Sequence, residues 1–209
     1  VLTSGGADAA VAWEDAAGFD VSSITGATAL GAEPADTDEF VLSDAGVLKR
    51  VDYSYIKGGT NTPAFLAYLD ANHRFSDATA TKVTYDTEIY DTDGDYDHST
   101  NYRFTPTTAG KYWIYAGASA YGSGTTQLVN GSFSIYENGT RIFTCSPDYQ
   151  GNYIYGVDFI IGTTVEADGS SDYYEIYCVG NSSDAGDTTI SGESSSNKPA
   201  WFGAYKIIE

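Results

Sequence analysis

The chain has 209 residues and a net charge of −19, because 29 acidic side chains face only 10 basic ones. The basic residues are scattered, so the chain lacks the basic face that nucleic-acid binding requires, and no apolar run approaches the roughly 20 residues of a membrane span. Aromatic content of 14% with charged content of only 19% favours β-structure. We therefore predict an all-β protein without nucleic-acid binding or membrane insertion, whose acidic surface is either simply solvated or accompanied by divalent cations.

The first 60 residues contain short apolar segments separated by small residues. Ser43–Gly46 predicts a hairpin turn between the extended runs Phe40–Leu42 and Val47–Val51. These segments hold too few large apolar side chains to bury a core alone, so they need several chains to share the burial. The alternative is a disordered linker, against which the aromatic residues of this region argue.

This region resembles the β-structured stems of phage fibres, through segments such as VLTSGGADAAVAWED (1–15) and DEFVLSDAGVLKRVDYSYI (38–56). The resemblance implies a trimeric stem that spaces a distal domain from its base. The sequence begins with neither a signal peptide nor an initiator Met, so we expect Val1 to be an internal position of a longer polypeptide.

A change of composition at Gly58–Asn61 marks the predicted boundary, which divides the chain into a stem at 1–60 and a second domain at 61–209. Pro63–Leu69 is a compact apolar run that is compatible with a strand or a short helix, and the family resemblance described below implies the strand. Further along, alternate positions hold Val83, Tyr85, Thr87 and Ile89, which predicts one half-buried strand.

Two turns then frame the most apolar strand of the chain. Asp91–Asp97 is an acidic turn, and Pro106–Gly110 is a second turn that leads into a predicted core strand at Lys111–Ala118. Four aromatic or branched residues follow one another in that strand, at positions 112 to 115. Gly110 ends the turn, and we expect it to be hard to replace if its φ is positive.

The rest of the chain predicts more strands joined by turns. Asn138-Gly139 predicts a tight hairpin turn, and residues 182–198 predict a long loop with Ile190 as its anchor. The two cysteines allow one disulfide at most, and for Cys178 we favour a buried free thiol.

Several of these segments together resemble the C1q/TNF-type jelly roll. The resemblance rests on RFTPTTAGKYW (103–113), YDTDGDYD (90–97), SFSIYENGTRIF (132–143), SDYYEIYCVG (171–180) and AWFGAYKIIE (200–209). It spans residues 62–209 and implies a jelly-roll sandwich, an opening strand beside the closing strand, and threefold association. It says little about function, since one fold hosts many functions.

Residue chemistry indicates no catalytic site. The two histidines lack partner spacing for a metal or a triad, and carboxylate pairs are expected by chance among 29 acids, so we predict no enzyme. Alternate carboxylates at Asp91, Asp93, Asp95 and Asp97 offer hard oxygens to one cation, which makes Ca²⁺ the one cofactor the sequence suggests. The alternative is an exposed acidic turn in which Asp97 caps local amides.

Tyrosine, present 18 times, is the other candidate for recognition. Tyr149 and Tyr153 lie in a predicted loop and are the residues we select for receptor contact, because tyrosine offers area with a polar tip. The alternative is that such rings fill the core or a subunit interface.

The sequence as a whole predicts a C-terminal C1q/TNF-like jelly roll behind an N-terminal β-hairpin stem, assembled as a homotrimer. The predicted function is that of a phage fibre on the virion, whose stem contacts other virion proteins and whose knob binds a host-surface glycan or protein. The alternatives are a structural appendage or capsid decoration without a receptor, and a secreted carbohydrate-binding module.

Overall fold

The computed structural model describes residues 2–3, 12–13, 27–122, 127–149, 154–193 and 197–208. The chain folds as two compact units, Val1–Gly58 and Gly59–Glu209. Within the part of the chain described, no helix is long and apolar enough to cross a membrane.

In the part of the first unit that the structure describes, there are two separate pairs of antiparallel strands. Strands β1 (Leu2–Thr3) and β2 (Ala12–Trp13) pair over two residues each, and β3 (Glu39–Asp44) pairs with β4 (Val47–Asp52) over six. Ala45 and Gly46 connect β3 to β4 with φ of 50° and 85°, so the predicted hairpin is present, with a turn of two residues because Ser43 and Asp44 still pair with β4. A single 3₁₀ turn at Tyr53–Tyr55 follows β4.

The second unit is a sandwich of two antiparallel sheets. Its strands are β5 (Ala64–Tyr68), β6 (His73–Phe75), β7 (Thr81–Lys82), β8 (Thr87–Asp91), β9 (Tyr96–Asp97), β10 (Arg103–Phe104), β11 (Gly110–Gly122), β12 (Leu128–Glu137), β13 (Thr140–Cys145), β14 (Gly156–Ala167), β15 (Tyr174–Ser182), β16 (Thr188–Ile190) and β17 (Trp201–Lys206).

The large sheet is built around the long strand β11. One edge of β11 pairs with β14, and the other pairs first with β17 and then with β16. Beyond β17 lie β5 and β8, and beyond β16 lies β6. The opening strand β5 is therefore hydrogen-bonded to the closing strand β17, as the sequence predicted.

The small sheet has the order β13-β12-β15-β10-β9, with β7 also paired to β15. From β8 onward the chain passes repeatedly between the two sheets, which gives the jelly-roll sandwich predicted from the sequence. Asn138 and Gly139 form the tight turn between β12 and β13, both at positive φ.

The core lies between the two sheets and is rich in aromatic rings. Phe65 stacks on Tyr96 at 4.4 Å between ring centroids and meets Phe202 edge-on at 4.9 Å. Cys178 is buried, and both cysteines are free thiols, so Cys178 is the unbridged core residue that we favoured. Burial raises the pKa of its thiol to about 12.

The single strand predicted over Val83–Ile89 is wrong. Thr81–Lys82 belongs to the small sheet and Thr87–Asp91 to the large one, with residues 83–86 crossing between them. Val83 and Tyr85 are buried in the sandwich, whereas Ile89 is exposed. Burial at every second position ends with Tyr85, because Thr87 is only half-buried and Ile89 is exposed once the chain has joined the large sheet.

Two further expectations need correction. The predicted loop at 182–198 contains the short strand β16, although its anchor Ile190 is fully buried as expected. In the predicted core strand, Tyr112 and Ile114 are buried, but Trp113 and Tyr115 project from the opposite face and are only half-buried. A strand places neighbouring side chains on opposite faces, so four consecutive large residues cannot all enter one core.

Candidate functional site

The acidic turn between β8 and β9 is organised by hydrogen bonds to its own backbone. The Asp91 carboxylate accepts hydrogen bonds from the amides of Asp93, Gly94 and Tyr96, at 3.3, 3.0 and 2.9 Å. Gly94 adopts a φ of 75°, which glycine does without strain. The Asp93 carboxylate accepts a hydrogen bond from the hydroxyl of Thr92.

Asp95 and Asp97 point to different parts of the structure. Asp95 is buried, and its carboxylate accepts the Thr107 amide at 2.9 Å and the Thr107 hydroxyl at 3.2 Å. Through this contact Asp95 fixes the acidic turn to the corner that precedes β11.

Asp97 closes the next turn. Its carboxylate accepts the amides of Ser99, Thr100 and Asn101 at 3.1, 2.8 and 3.0 Å and the side-chain amide of Asn101 at 2.7 Å. These donors, led by the Thr100 amide, hold the pKa of Asp97 well below its usual range.

The four aspartates are thus neighbours in sequence but are not gathered around one point. Among the described residues, no group of three or more His, Cys, Asp or Glu side chains is placed to hold a metal ion. The capping role that we gave Asp97 as the alternative agrees with its contacts. Calcium binding stays a prediction.

Of the two tyrosines selected for receptor contact, Tyr153 lies outside the described residues. Tyr149 is half-buried, its amide donates to the Val129 carbonyl at 3.0 Å, and burial raises the pKa of its phenol. Its hydroxyl is buried and has no hydrogen-bond partner among the described residues. The Tyr149 hydroxyl is therefore not presented to solvent, and the role of this residue in receptor contact stays a prediction.

Sequence reasoning missed a set of aromatic rings on the outer face of the large sheet, which we call the aromatic platform: Tyr90, Trp113, Tyr115 and Tyr205. Tyr115 lies 6.2 Å from Tyr205 between ring centroids, and burial and Tyr90 raise the pKa of its phenol. The strand period could have revealed the platform, since Trp113 and Tyr115 alternate with the core residues of β11.

Two platform rings are seated on glycines. A Cβ built on Gly162 would lie 2.6 Å from the Trp113 indole, and one built on Gly203 would lie 2.6 Å from the Tyr115 ring. The missing side chains let both rings lie against the backbone of a neighbouring strand. The result is an aromatic surface that the single chain leaves partly open, with the Tyr115 and Tyr205 rings inclined by 57° to each other.

The β3–β4 hairpin carries a second apolar surface. Alternate residues place Phe40, Leu42, Val47 and Val51 on one of its faces, where Phe40 lies directly opposite Val51. On the other face, Val41 is 65% exposed and Leu48 is 72% exposed. A two-stranded hairpin is at best marginally stable in water, and this one has apolar side chains on both faces.

Comparisons with known proteins give structural neighbours only. The sequence matches no protein-family model and no curated protein. Among solved structures, it is similar to Eiger TNF from S. frugiperda at 12% identity and a TM-score of 0.48, covering 70% of this chain and 92% of that one.

Two other similar structures are the globular domain of zebrafish complement 1qA and murine APRIL. The first has 14% identity and a TM-score of 0.46 over 71% of this chain and 99% of that chain. The second has 11% identity and a TM-score of 0.48 over 69% of this chain and 99% of that chain. The fold assignment for this chain rests on the strand order and registers given above.

Proposed function

We propose that this chain is the distal part of a homotrimeric phage fibre, in which the first unit belongs to the stem and the jelly roll is a knob that adheres to the host surface. The observation that carries the proposal is that one chain contains both a compact sandwich and a hairpin that is too apolar and too small to be stable by itself. The proposed role is adhesive and without catalysis, and the proposed location is the outside of the virion.

Two surfaces support association with further copies of the chain. The β3–β4 hairpin exposes Val41 and Leu48 on one face and carries four apolar residues on the other. The aromatic platform adds a partly exposed apolar surface on the large sheet. Burying such area in identical copies stabilises an assembly without requiring a different partner.

A trimeric assembly suits an adhesive role because it presents three copies of the knob together. One knob–receptor contact is weak, and three knobs on a common axis gain affinity by acting together. The stem would contact other virion proteins at its N-terminal side, and the receptor would be a glycan or a protein on the host cell.

The test uses the purified full chain and the cells that the particles infect. We expect the labelled chain to bind those cells and to block adsorption of intact particles, in proportion to its concentration. Heat-unfolded chain at the same concentration is the control. If the chain binds no susceptible cell, and particles that lack it adsorb normally, it is a structural appendage or a capsid decoration instead.

The second alternative is a secreted carbohydrate-binding module. The aromatic rings on the outer face of the large sheet support this function as well. Electron microscopy with an antibody against the chain distinguishes the two. Label at the tip of a particle supports the fibre. Label absent from particles, with a catalytic domain encoded upstream, supports the module.

A further inference from the structure

Beside the aromatic platform, the outer face of the large sheet contains an open groove. Two depressions of about 400 and about 310 Å³ adjoin there, and both are lined by Ser119 and Asp158. Their combined size falls in the range of small-molecule sites, which are concave surfaces with a few polar groups among apolar ones.

Strand register explains how the groove forms. Ser119 of β11 lies directly opposite Asp158 of β14, and Gly117 lies between Ile160 and Trp201. Gly117 has no side chain to fill the floor, and a Cβ built there would lie 2.6 Å from the Trp201 indole. The indole therefore lies against the sheet and walls one end of the groove.

The other end is walled by a pair of tyrosines. Tyr121 and Tyr155 stack with 5.9 Å between ring centroids and an interplanar angle of 19°. Tyr155 is 60% exposed, and the Tyr121 hydroxyl accepts a hydrogen bond from Asn72 at 3.1 Å. Gly117 and Tyr121 are four positions apart on β11, so the two aromatic walls are about 13 Å apart along the strand.

This arrangement fits a sugar chain. Aromatic faces stack on the apolar faces of pyranose rings, and the distance between the two walls is a span that a trisaccharide covers. Between the walls, the Asp158 carboxylate can accept hydrogen bonds from two sugar hydroxyls, while the Ser119 hydroxyl can donate or accept one.

Charge selects among sugars. Asp158 is the one charged side chain among the described residues that line the groove, and the chain carries a net charge of −19. An anionic glycan would meet a like charge in the groove and an acidic protein around it. We infer that the groove between Trp201 and the Tyr121–Tyr155 pair binds a neutral glycan of about three sugars. This inference rests on the proposed adhesive function and names the class of receptor and the surface that takes it.

The experiment measures binding of neutral trisaccharides to the full chain. Saturation-transfer NMR and titration calorimetry would be run with maltotriose, mannotriose, and the trimer of N-acetylglucosamine, and with sialyllactose as an anionic probe. We expect at least one neutral trisaccharide to bind and sialyllactose not to bind. Tyr155→Ala and Asp158→Asn should each weaken that binding at least tenfold, and Trp201→Phe should weaken it less than Trp201→Ala.

Two control variants match these changes elsewhere in the sandwich. Tyr136→Ala removes a half-buried tyrosine from the small sheet, and Glu166→Gln neutralises an exposed carboxylate on β14. Both should keep the affinity of the parent chain. Melting temperatures of all variants would show that the groove variants remain folded.

The outcomes separate this inference from the proposed function. If the chain binds host cells and Tyr155→Ala with Asp158→Asn leaves that binding intact, adhesion stands and the groove is not its site. If a trisaccharide binds at the groove while the chain ignores host cells, the groove stands and the adhesive fibre falls. If none of the three neutral probes binds, or if the groove variants change the sedimentation coefficient instead, the inference is wrong, and in the latter case a second copy occupies the groove.

Discussion

Gly110 shows at the scale of one residue why the corner before β11 depends on glycine. Its φ is 141°, a value that other residues rarely adopt, and a Cβ there would lie 2.7 Å from Cε of Lys206. The φ of Gly110 is thus positive, which is the condition under which the sequence predicted a costly substitution. The Lys206 side chain can move aside, so the backbone conformation is the larger obstacle.

We therefore expect Gly110→Val to lower the free energy of unfolding by about 1 kcal/mol or more, because a β-branched residue bears the full strain of this backbone conformation. Urea denaturation would measure the change. Gly58→Ala is the control, since Gly58 has an ordinary φ and nothing within 4 Å of a built Cβ. Unchanged stability in Gly110→Val would mean that the corner relaxes to an ordinary conformation.

The Asp97 carboxylate makes the stability of the fold depend on pH. Its carboxylate accepts several donors, and the pKa is lowered in the folded chain, chiefly by the Thr100 amide. A carboxylate with a lowered folded pKa contributes stability that is fully present above its unfolded pKa, about 3.9, and that is lost as the pH falls through the folded pKa. Unfolding free energy should therefore drop below about pH 4.

Asp97→Asn should lower stability at pH 7 by about 1 kcal/mol, through loss of charge-assisted hydrogen bonds, and should make the fall below pH 4 shallower. Urea denaturation at pH 7, 4 and 3 would test both effects. Glu166→Gln, which removes an exposed carboxylate from β14, is the control. A profile for Asp97→Asn that parallels the parent would show that other carboxylates carry the acid sensitivity.

At the scale of elements, the short strand β7 is fixed to β15 by an ion pair on the outer face of the small sheet. Lys82 Nζ lies 2.5 Å from Glu175 Oε1 and also donates to the Asn101 carbonyl at 3.1 Å. The Glu175 side chain is only 6% exposed, while Lys82 is 28% exposed. Removing the lysine would leave a nearly buried carboxylate without its cation.

Lys82→Met should therefore destabilise the chain by about 2 kcal/mol, somewhat less than a fully buried pair because Lys82 reaches solvent. The double variant Lys82→Met with Glu175→Leu should recover most of that loss, since no buried charge remains. Thermal unfolding of the parent chain, of Lys82→Met, of Glu175→Leu and of the double variant gives the free energies that a double-mutant cycle compares. A double variant as unstable as Lys82→Met alone would mean that packing, rather than the uncompensated charge, sets the cost.

Elements with local signals were predictable from the sequence. Both residues of the Asn138-Gly139 turn and Gly46 of the Ala45-Gly46 turn are suited to positive φ, so both hairpins were placed correctly. The crossing at residues 83–86 was not predicted. Alternation of apolar residues indicates which side chains are buried, but it does not indicate which sheet they belong to. The acidic turn has the carboxylates that a calcium ion prefers, but Asp95 accepts a hydrogen bond from Thr107, twelve positions away. The spacing of the aspartates does not reveal this contact.

The candidate binding surfaces were harder to predict than the elements. The groove needs Ser119 opposite Asp158 and Trp201 opposite Gly117, and these pairings follow from strand order in the sheet. A sequence gives the period of a strand but not its neighbours. The loop tyrosine Tyr149 illustrates the converse, because its position suggested a free polar tip and the fold buries its hydroxyl.

At the scale of the whole molecule, the proposed trimer places three strongly acidic chains side by side. Each carries a net charge of −19, so repulsion between copies opposes the burial of the hairpin and of the aromatic platform. Salt shortens the screening length from about 10 Å at 0.1 M to about 3 Å at 1 M, whereas apolar burial does not depend on ionic attraction. Association should therefore become tighter as salt is added.

Sedimentation equilibrium of the full chain would test this between about 0.05 and about 1 M NaCl, a range over which the screening length falls several-fold. We expect a mass of three 22.3 kDa chains that persists to lower protein concentration at high salt. Leu42→Asp in the hairpin and Tyr115→Ser in the platform should each raise the trimer dissociation constant at least tenfold, and Ile142→Asp on β13 should not. A folded monomer at micromolar concentration in high salt would contradict the trimer, and association that weakens with salt would show that ion pairs rather than apolar surfaces join the copies.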